Sequence, residues 1–464
     1  MLFDTPVYLL FLSLVVSVYW RLGWRAQNRM LLMASCFFYG WWDWRFLLLM
    51  LTSATMDFLL GQRIADSPRP ALRSSLLTFS LILNFGVLGF FKYFDFFAQS
   101  MVDALVSIGV HSVSLPLLRV ILPPGISFHT FQEVAYIIDV YRGRLEPSRR
   151  FVDYALFICL FPHLIAGPIQ RPSHLLPQVQ RPRYFDGEKF FAGLMLILLG
   201  LFRKSVIADN AANVANAAFD GRLGHSFLAT TIGVVAFALQ IYGDFSGYSD
   251  MARGSAQLLG FHFMVNFRQP YLASSLQDFW RRWHISLSTW LRDYLYFALG
   301  GSRRGALRTY QNLMTTMLLG GLWHGANWTF VVWGGLHGCW LSIERMFRRS
   351  EQSGGFHPAG WLVTMTVVGL SWLFFRARDL TQALAMLSDL RLLEWRPSFA
   401  PVLVYLGVIA AIALAIDLRL EFRSEEYPFE KAGAEIAIAT AAVFGAVMVV
   451  FGPMGTNAFI YFQF

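Results

Sequence analysis

A histidine among glycines and tryptophans is the first candidate for chemistry in this sequence. His324 lies in the run Gly320 to Trp328, which reads GGLWHGANW. Histidine has the unperturbed pKa closest to working pH, and an ionisable residue inside an apolar segment costs free energy that packing alone rarely recovers. Asn327 would share a helical face with His324 if this stretch is helical, and could orient the ring or bind a substrate carbonyl.

Two further histidines stand out by their context. His284 closes a charged stretch that begins at Asp278 and contains Arg281 and Arg282, and His337 lies in a second glycine-flanked run. The arginines suit lipid headgroups or phosphate oxygens. A lone buried histidine is often a hydrogen-bonded structural residue, and an arginine-rich neighbourhood is often an interfacial anchor. Both functional and structural roles therefore stay open for these side chains.

The composition indicates a helical membrane protein. The chain has 464 residues, of which 56% are hydrophobic and 14% are charged, whereas soluble proteins carry charge on about a quarter of their residues. Its apolar runs are long enough to cross a bilayer, which takes about 20 residues of helix. The net charge of +9 is dispersed, so we expect no nucleic-acid partner. The three cysteines are widely spaced and indicate neither a disulfide framework nor a metal site.

The order of apolar runs and basic loops predicts the topology. Basic loops at 21–29 and 63–73 are separated by two crossings, so both are expected in the cytoplasm and the N-terminus outside. The apolar run 76–91 is expected to end at Lys92, as interfacial anchors do. Further apolar stretches are predicted at about 125–141, 151–166, 190–207, 226–243, 309–322, 328–344, 360–375, 401–416 and 433–452.

One segment of the chain differs from the rest. Between Gly243 and Gly305, charged residues interrupt the apolar pattern, and each charge at the bilayer centre costs about 2.5–3.5 kcal/mol. This segment is expected at the interface or along a hydrated, protein-walled cavity, where re-entrant or broken helices are allowed. Because the other connections are short, we expect a single membrane-embedded domain over 1–464, with N-terminal helices at 1–120, a motif-bearing core at 121–345 and C-terminal helices at 346–464.

Several standard catalytic signatures are missing from the sequence. It contains no His-Glu-x-x-His, no Cys-x-x-Cys, no phosphate-binding P-loop motif and no Gly-x-Ser-x-Gly elbow. What remains is a histidine-centred site without an evident covalent nucleophile. Such a site suits direct transfer, in which the imidazole takes a proton from a hydroxyl that attacks an activated carbonyl.

The motifs together resemble the membrane-bound O-acyltransferase (MBOAT) family, and within it the bacterial branch that O-acetylates exported polysaccharides such as alginate. The resemblance rests on motifs in the same order along most of the chain, namely Gly125 to Gln132, Ile138 to Gly143, Ala166 to Ile169, Asp244 to Asp250, Asp278 to Ser288, Gly320 to Trp328 and Phe459 to Phe464. The most specific are Asp278 to Ser288 and Gly320 to Trp328. His129 stands where relatives often carry an aromatic residue.

The resemblance implies a fold and an activity. The fold would be an all-α polytopic bundle of roughly 10–12 transmembrane helices with re-entrant or interfacial helices around a tunnel. A cytoplasmic thioester, either acetyl-CoA or an acyl-carrier thioester, would donate the acetyl group, and no cofactor would be bound. The protein would lie in the bacterial inner membrane with a periplasmic N-terminus, among membrane lipids. Its partners would be an extracytoplasmic acetyltransferase and the polysaccharide export machinery.

The resemblance also implies roles for individual residues. His324 would be the general base, and His284 would position the acceptor or the donor. The substrate-binding residues are expected to be Trp323, Asp278, Arg281, Arg282, Asn327 and His337, and no metal ligand is expected. Two other functions stay open: transfer of D-alanine from a carrier protein towards teichoic acid, and lipid or glycan transport, which would also place charge at the midplane of broken helices.

Overall fold

The computed structural model describes residues 1–110, 115, 117–118, 120–165, 167–347, 356–428, 430–431, 433–452 and 459–460. Within these ranges every regular element is a helix, which confirms the predicted fold class.

The chain divides into unit 1, with residues 1–193 and 255–264, and unit 2, with residues 194–254 and 265–464. These units do not coincide with the three segments expected from the sequence, and the single membrane-embedded domain stays a prediction. Ala166 and residues 461–464 of the motifs lie outside the described residues.

Unit 1 contains one helix that is buried along nearly its whole length. Its helices are α1 (Pro6–Tyr19), α2 (Trp24–Gly40), α3 (Trp44–Asp66), α4 (Pro70–Leu88), α5 (Phe94–Ser107), α6 (Ile126–Tyr141), α7 (Phe151–Cys159), α8 (Phe161–Leu164) and α9 (Pro172–Val179). All of α6 is buried except Ile138 and Tyr141. Gly125 starts it with φ of 72°, and a Cβ there would lie 2.3 Å from the carbonyl oxygen of Leu164. Both observations require glycine at the first position of this motif.

Unit 2 contains all the candidate residues of the site. Its helices are α10 (Gly187–Phe202), α11 (Asp209–Phe219), α12 (Phe227–Leu258), α13 (Leu276–Arg282), α14 (Ile285–Trp290), α15 (Ala306–His324), α16 (Trp328–Phe347), α17 (Pro358–Arg376), α18 (Leu380–Asp389), α19 (Phe399–Arg423) and α20 (Ala434–Phe451). Helices α10 and α12 each include residues of both units. The π-helical segment Arg203–Ala208 joins α10 to α11, and a second one, Leu291–Tyr296, follows α14.

Six helical stretches in the described residues are long and apolar enough to cross a membrane. They are Trp44–Asp66, Pro70–Ser107, Gly187–Phe219, Phe227–Leu258, Pro358–Arg376 and Phe399–Arg423. Two shorter apolar helices, Pro6–Tyr19 and Glu435–Phe451, accompany them. The remaining crossings of the expected bundle, and its tunnel, stay predictions.

Two helices are longer than their apolar runs predict. The expectation that the run 76–91 ends at Lys92 is wrong, because a π-helical turn, Gly89–Tyr93, connects α4 directly to α5. Helix α12 likewise continues to Leu258 instead of ending near Gly243. The charged residues after Gly243 therefore lie first in an unbroken helix, and only the later part of that segment forms short helices.

Buried ion pairs explain why α12 continues through its charged residues. Arg203 places its guanidinium 2.7 Å from Asp250 of α12 and 3.2 Å from Asp417 of α19. Lys204 lies 3.0 Å from Asp244 of α12. All these residues are buried within the protein. Because each charge has an opposite charge beside it, α12 can keep its charged residues without exposing them to lipid.

Helices α15 and α16 approach each other closely through glycines. A Cβ on Gly321 of α15 would lie 2.2 Å from the carbonyl oxygen of Phe330, and a Cβ on Gly334 of α16 would lie 2.3 Å from that of Met317. Any side chain at these positions would force the helices apart. The glycines near His324 thus bring a second helix backbone close to it.

Candidate active site

His324 is the last residue of α15 and lies in an aromatic enclosure. Its side chain is 4% exposed, and its ring centroid lies 5.1 Å from Trp323, 5.1 Å from Trp333 and 5.2 Å from Phe375. The carbonyl end of a helix carries partial negative charge. A proton taken up by this imidazole would therefore be stabilised by the C-terminal end of α15, in surroundings that exclude most water.

His284 precedes α14 and has an unusual backbone. Its φ of 43° lies in the left-handed region, which costs a residue other than glycine on the order of 1–3 kcal/mol and is often found at functional sites. The side chain is fully buried. Nδ1 lies 3.1 Å from Oδ1 of Asn266, and the ring packs edge-on against Phe245 with centroids 4.6 Å apart.

Trp323 lies against both histidines. Its ring centroid is 5.9 Å from that of His284 and 5.1 Å from that of His324. Because both rings contact Trp323, the ring centroids of His284 and His324 can be no farther apart than the sum of these two distances. The structure thus brings three of the predicted site residues, His284, Trp323 and His324, into one buried cluster.

The protonation of His284 follows from its burial. Burial in surroundings without a neighbouring carboxylate lowers the pKa of the His284 imidazole to about 3. The ring is therefore neutral at physiological pH. Nε2 is buried and has no hydrogen-bond partner among the described residues, so it is available to a group that enters the cluster.

His337 differs from the other two because both of its nitrogens are engaged. Nδ1 accepts a hydrogen bond from the indole Nε1 of Trp280 at 3.2 Å, so Nε2 carries the hydrogen and donates to Oγ of Ser371 at 2.9 Å. The side chain is completely buried. This geometry supports a structural role for His337, and its role in substrate binding stays a prediction.

Asn327 does not lie on the helical face of His324, because α15 ends at His324 and α16 begins only at Trp328. Its Nδ2 donates to the carbonyl of Arg378 at 2.8 Å, and its Oδ1 accepts the backbone N–H of Thr329 at 3.0 Å. The side chain connects the start of α16 to the segment after α17. A substrate contact would have to replace one of these bonds.

The three charged candidates line a separate cavity of about 1810 Å³ in unit 2. Arg282 is held there by Asp278 at 3.0 Å and by Glu421 at 3.0 Å. Arg281 and Arg345 line the same cavity and have no ion-pair partner among the described residues. The cavity therefore contains two guanidinium groups that can bind an anionic ligand.

A continuous series of aromatic rings connects the wall of this cavity to His324. Tyr271 of the cavity wall lies 6.2 Å from Trp283, measured between ring centroids. Trp283 lies 5.0 Å from Trp372, and Trp372 lies 5.3 Å from Phe375. Phe375 is one of the rings that contact His324. The charged cavity and the buried cluster are thus connected by one series of packed aromatic rings, the aromatic layer.

Sequence reasoning missed Asn266 and the aromatic residues of α16 and α17. Asn266 is a polar residue between Val265 and Phe267, and that isolated polarity was the only available signal. Trp333, Trp372 and Phe375 look like ordinary packing residues in the sequence. Nothing in their spacing indicates that Trp333 and Phe375 contact His324 or that Trp372 packs against both of those rings. Among the described residues, no group of three metal-binding side chains is placed to hold a metal ion.

Comparison with known proteins identifies the family. Residues 147–386, which include all three candidate histidines, match the model of the membrane-bound O-acyltransferase family. The chain is 44% identical to the probable alginate O-acetylase AlgI of Azotobacter vinelandii, over 83% of this chain and 77% of the relative. It is 37% identical to the peptidoglycan O-acetyltransferase of Helicobacter pylori, over 84% and 80%. The teichoic acid D-alanyltransferase of Bacillus subtilis is 26% identical over 53% and 64%. This chain therefore belongs to the membrane-bound O-acyltransferase family and is a multi-pass membrane O-acyltransferase.

Proposed function

We propose that this protein transfers acetyl from a cytoplasmic thioester across the membrane for O-acetylation of an exported polysaccharide of the alginate or cellulose type. The names of its relatives support O-acetyl transfer, since those that match over four-fifths of the chain are O-acetylases of alginate or peptidoglycan. The observation that carries the proposal is the buried cluster of His284, Trp323 and His324. It combines a proton-accepting group with an aromatic enclosure that excludes water.

In the proposed reaction His324 is the general base. Its imidazole takes the proton of the acceptor hydroxyl while the hydroxyl oxygen attacks the thioester carbonyl. A carbon–oxygen bond forms, the carbon–sulfur bond breaks, and the leaving thiolate receives the proton from the imidazolium. The C-terminal end of α15 stabilises the imidazolium between these steps. His284 positions the acceptor, and the aromatic enclosure limits competing hydrolysis of the thioester.

The cavity lined by Arg281 and Arg345 suits the donor. Acetyl-CoA and carrier-bound acyl groups both carry phosphate on the arm that ends in the thioester, and guanidinium groups bind phosphate through paired hydrogen bonds. We place the phosphate of the donor in this cavity. For the acyl group to reach His324 from this cavity, the rings of the aromatic layer would have to move apart, because they are packed against one another. The thioester is a substrate in this scheme, and no resident cofactor is invoked.

The setting of the reaction is part of the proposal. We infer that the protein lies in the bacterial inner membrane with its N-terminus in the periplasm. The basic loops at 21–29 and 63–73 support this orientation. We also infer that an extracytoplasmic acetyltransferase receives the acetyl group or acts beside this protein, and that the polysaccharide export machinery delivers the polymer.

The proposal is tested by replacing His324 in cells that make the polymer. A deletion strain carrying His324→Gln should export polymer that has lost nearly all its acetyl esters, because removal of a general base lowers the rate by about 10²–10⁴. His225 provides a matched control, since it is exposed and its one ion-pair partner among the described residues is Asp389. His225→Gln should leave the esters unchanged. Normal acetylation with His324→Gln would refute the assignment of the base.

D-alanyl transfer to teichoic acid is the second candidate, since two teichoic acid D-alanyltransferases match about half of this chain. Their identities of 27% and 26% are lower than those of the O-acetylating relatives. Mass analysis of the envelope separates the candidates. Loss of D-alanyl esters with unchanged acetyl esters in the deletion strain would favour D-alanyl transfer.

A further inference from the structure

Asn266 holds the turn that carries His284. Its Oδ1 accepts hydrogen bonds from the backbone N–H of Ser286 at 3.2 Å and from Oγ of Ser286 at 2.9 Å. Its Nδ2 donates to Oγ of Ser249 at 3.2 Å. Its own carbonyl accepts the backbone N–H of Ile285 at 2.9 Å. The side chain is 1% exposed, so these contacts fix it in one orientation.

This orientation determines which nitrogen of His284 carries the hydrogen. A backbone N–H can only donate, so the amide atom that faces the N–H of Ser286 must be the oxygen of Asn266. Nδ1 of His284 lies 3.1 Å from that same oxygen. Since an amide oxygen can only accept, Nδ1 must be the donor. A neutral imidazole carries one hydrogen, so Nε2 of His284 has a lone pair.

The lone pair of Nε2 has no partner among the described residues, although the side chain is completely buried. Buried polar atoms in proteins nearly always have a hydrogen-bond partner, and exceptions mark places where a ligand or water binds. His337 provides a contrast in the same aromatic layer, because it has the opposite tautomer and both its nitrogens are engaged. His284 thus differs from His337 in keeping one ring nitrogen without a partner among the described residues.

We propose that Asn266 is a positioning residue that keeps His284 in the Nδ1–H tautomer, so that Nε2 accepts a hydrogen bond from a hydroxyl of the acceptor sugar next to the reacting one. This takes the alternative of the proposed function in which the sugar receives the acetyl group directly and the extracytoplasmic acetyltransferase acts beside this protein. The reacting hydroxyl has a single hydrogen, which goes to His324 in the proposed function on which this step rests. Nε2 of His284 must therefore take its hydrogen bond from a neighbouring hydroxyl. The acceptor class that satisfies both histidines is a polyol with adjacent hydroxyl groups.

Substitutions of Asn266 separate this role from simple packing. Asn266→Leu keeps the approximate volume and removes the acceptor, so both tautomers of His284 become populated. We expect kcat/KM for the acceptor to fall about tenfold, the effect of one lost hydrogen bond. Asn266→Asp retains an oxygen towards Nδ1 and should restore most of the activity with a shifted pH profile. Ser249→Ala removes only the contact on the Nδ2 side and should have a smaller effect than Asn266→Leu.

The tautomer is measured directly by ¹⁵N NMR of histidine-labelled protein in lipid nanodiscs. The signals of His284 are those that disappear in His284→Gln, and they should show a protonated Nδ1 and an unprotonated Nε2. In Asn266→Leu they should shift towards the opposite tautomer. Unchanged His284 signals in Asn266→Leu would overturn the inference.

A kinetic cycle completes the test and separates the inference from the proposed function. If Asn266 acts through His284, then Asn266→Leu has no further effect on kcat/KM once His284 is replaced by Ala. Fully additive losses would overturn the positioning role. If the NMR signals shift as expected while kcat/KM for a sugar acceptor stays normal, the tautomer assignment holds and the acceptor role of His284 fails. Loss of acetyl transfer in His324→Gln is read separately and tests the proposed function alone.

Discussion

Replacement of Gly334 by alanine tests whether the close approach of α15 and α16 sets the position of His324. The new Cβ would lie 2.3 Å from the carbonyl oxygen of Met317 and 3.2 Å from the Cα of Leu318. These are backbone atoms of α15, so no flexible side chain can move aside. The helix that ends at His324 must itself shift.

The size of the effect follows from these distances. Ordinary van der Waals contact needs about 3.5 Å, so the two helices must separate locally by about 1 Å. Overpacking of this kind destabilises a protein by about 1–3 kcal/mol. A displacement of about 1 Å at a catalytic group lowers the rate on the order of 10²-fold. We therefore expect Gly334→Ala to lose most of its acyl transfer while retaining much of its stability.

The neighbouring residue is a matched control. A Cβ on Gly335 would meet only Cδ2 of Leu318, at 3.5 Å, which is an ordinary contact. Gly335→Ala should therefore keep full activity and gain about 0.5–1 kcal/mol from the better helix-forming residue. Acetyl esters on the exported polymer report activity, and thermal unfolding in detergent reports stability. Equal activity of the two variants would refute the idea that helix spacing positions His324.

Three other predictions follow from the site. The double variant Arg281→Ala, Arg345→Ala should raise KM for the donor several-fold and change kcat little. The rise in KM should be larger at low salt, where charge interactions are less screened, and steady-state kinetics at two ionic strengths checks this. His337→Leu should lower the melting temperature, because the indole N–H of Trp280 loses its acceptor and Oγ of Ser371 loses one donor. It should leave KM for both substrates unchanged. Burial lowers the pKa of His284 to about 3 in the folded protein, so between about pH 6.5 and 3 only the unfolded chain binds a proton at this residue. Acidification through this window should therefore destabilise the protein by up to about 1.4 kcal/mol per pH unit. His284→Gln should show a flatter dependence of melting temperature on pH.

Much of the site could be predicted because local sequence carries it. Glycines and tryptophans around His324 indicate close packing around an ionisable group, and the structure provides that packing through Gly321, Gly334 and Trp333. The all-helical class follows from composition and from the length of the apolar runs. These are properties of single segments, which a linear sequence records directly.

The remainder depends on contacts between distant segments. Helix α12 passes Gly243 because Arg203 and Lys204 neutralise its carboxylates, and a hydropathy pattern contains no information about such partners. The role of Asn266 depends on the left-handed turn at His284, which brings Nδ1 to its amide oxygen. A tautomer is set by three-dimensional hydrogen bonding, so sequence alone indicates that histidine is present and leaves its reactive nitrogen undetermined.

The shared guanidinium of Arg203 has a consequence for biosynthesis. Its first partner, Asp250, is made 47 residues later, whereas Asp417 follows by 214 residues. When α19 leaves the translocon, its carboxylate enters a low-dielectric environment and its counter-charge is already present on a helix inserted long before. The helix is therefore drawn out of lipid contact towards one particular neighbour. The ion pair with Arg203 thus specifies which neighbour the late transmembrane helix α19 packs against.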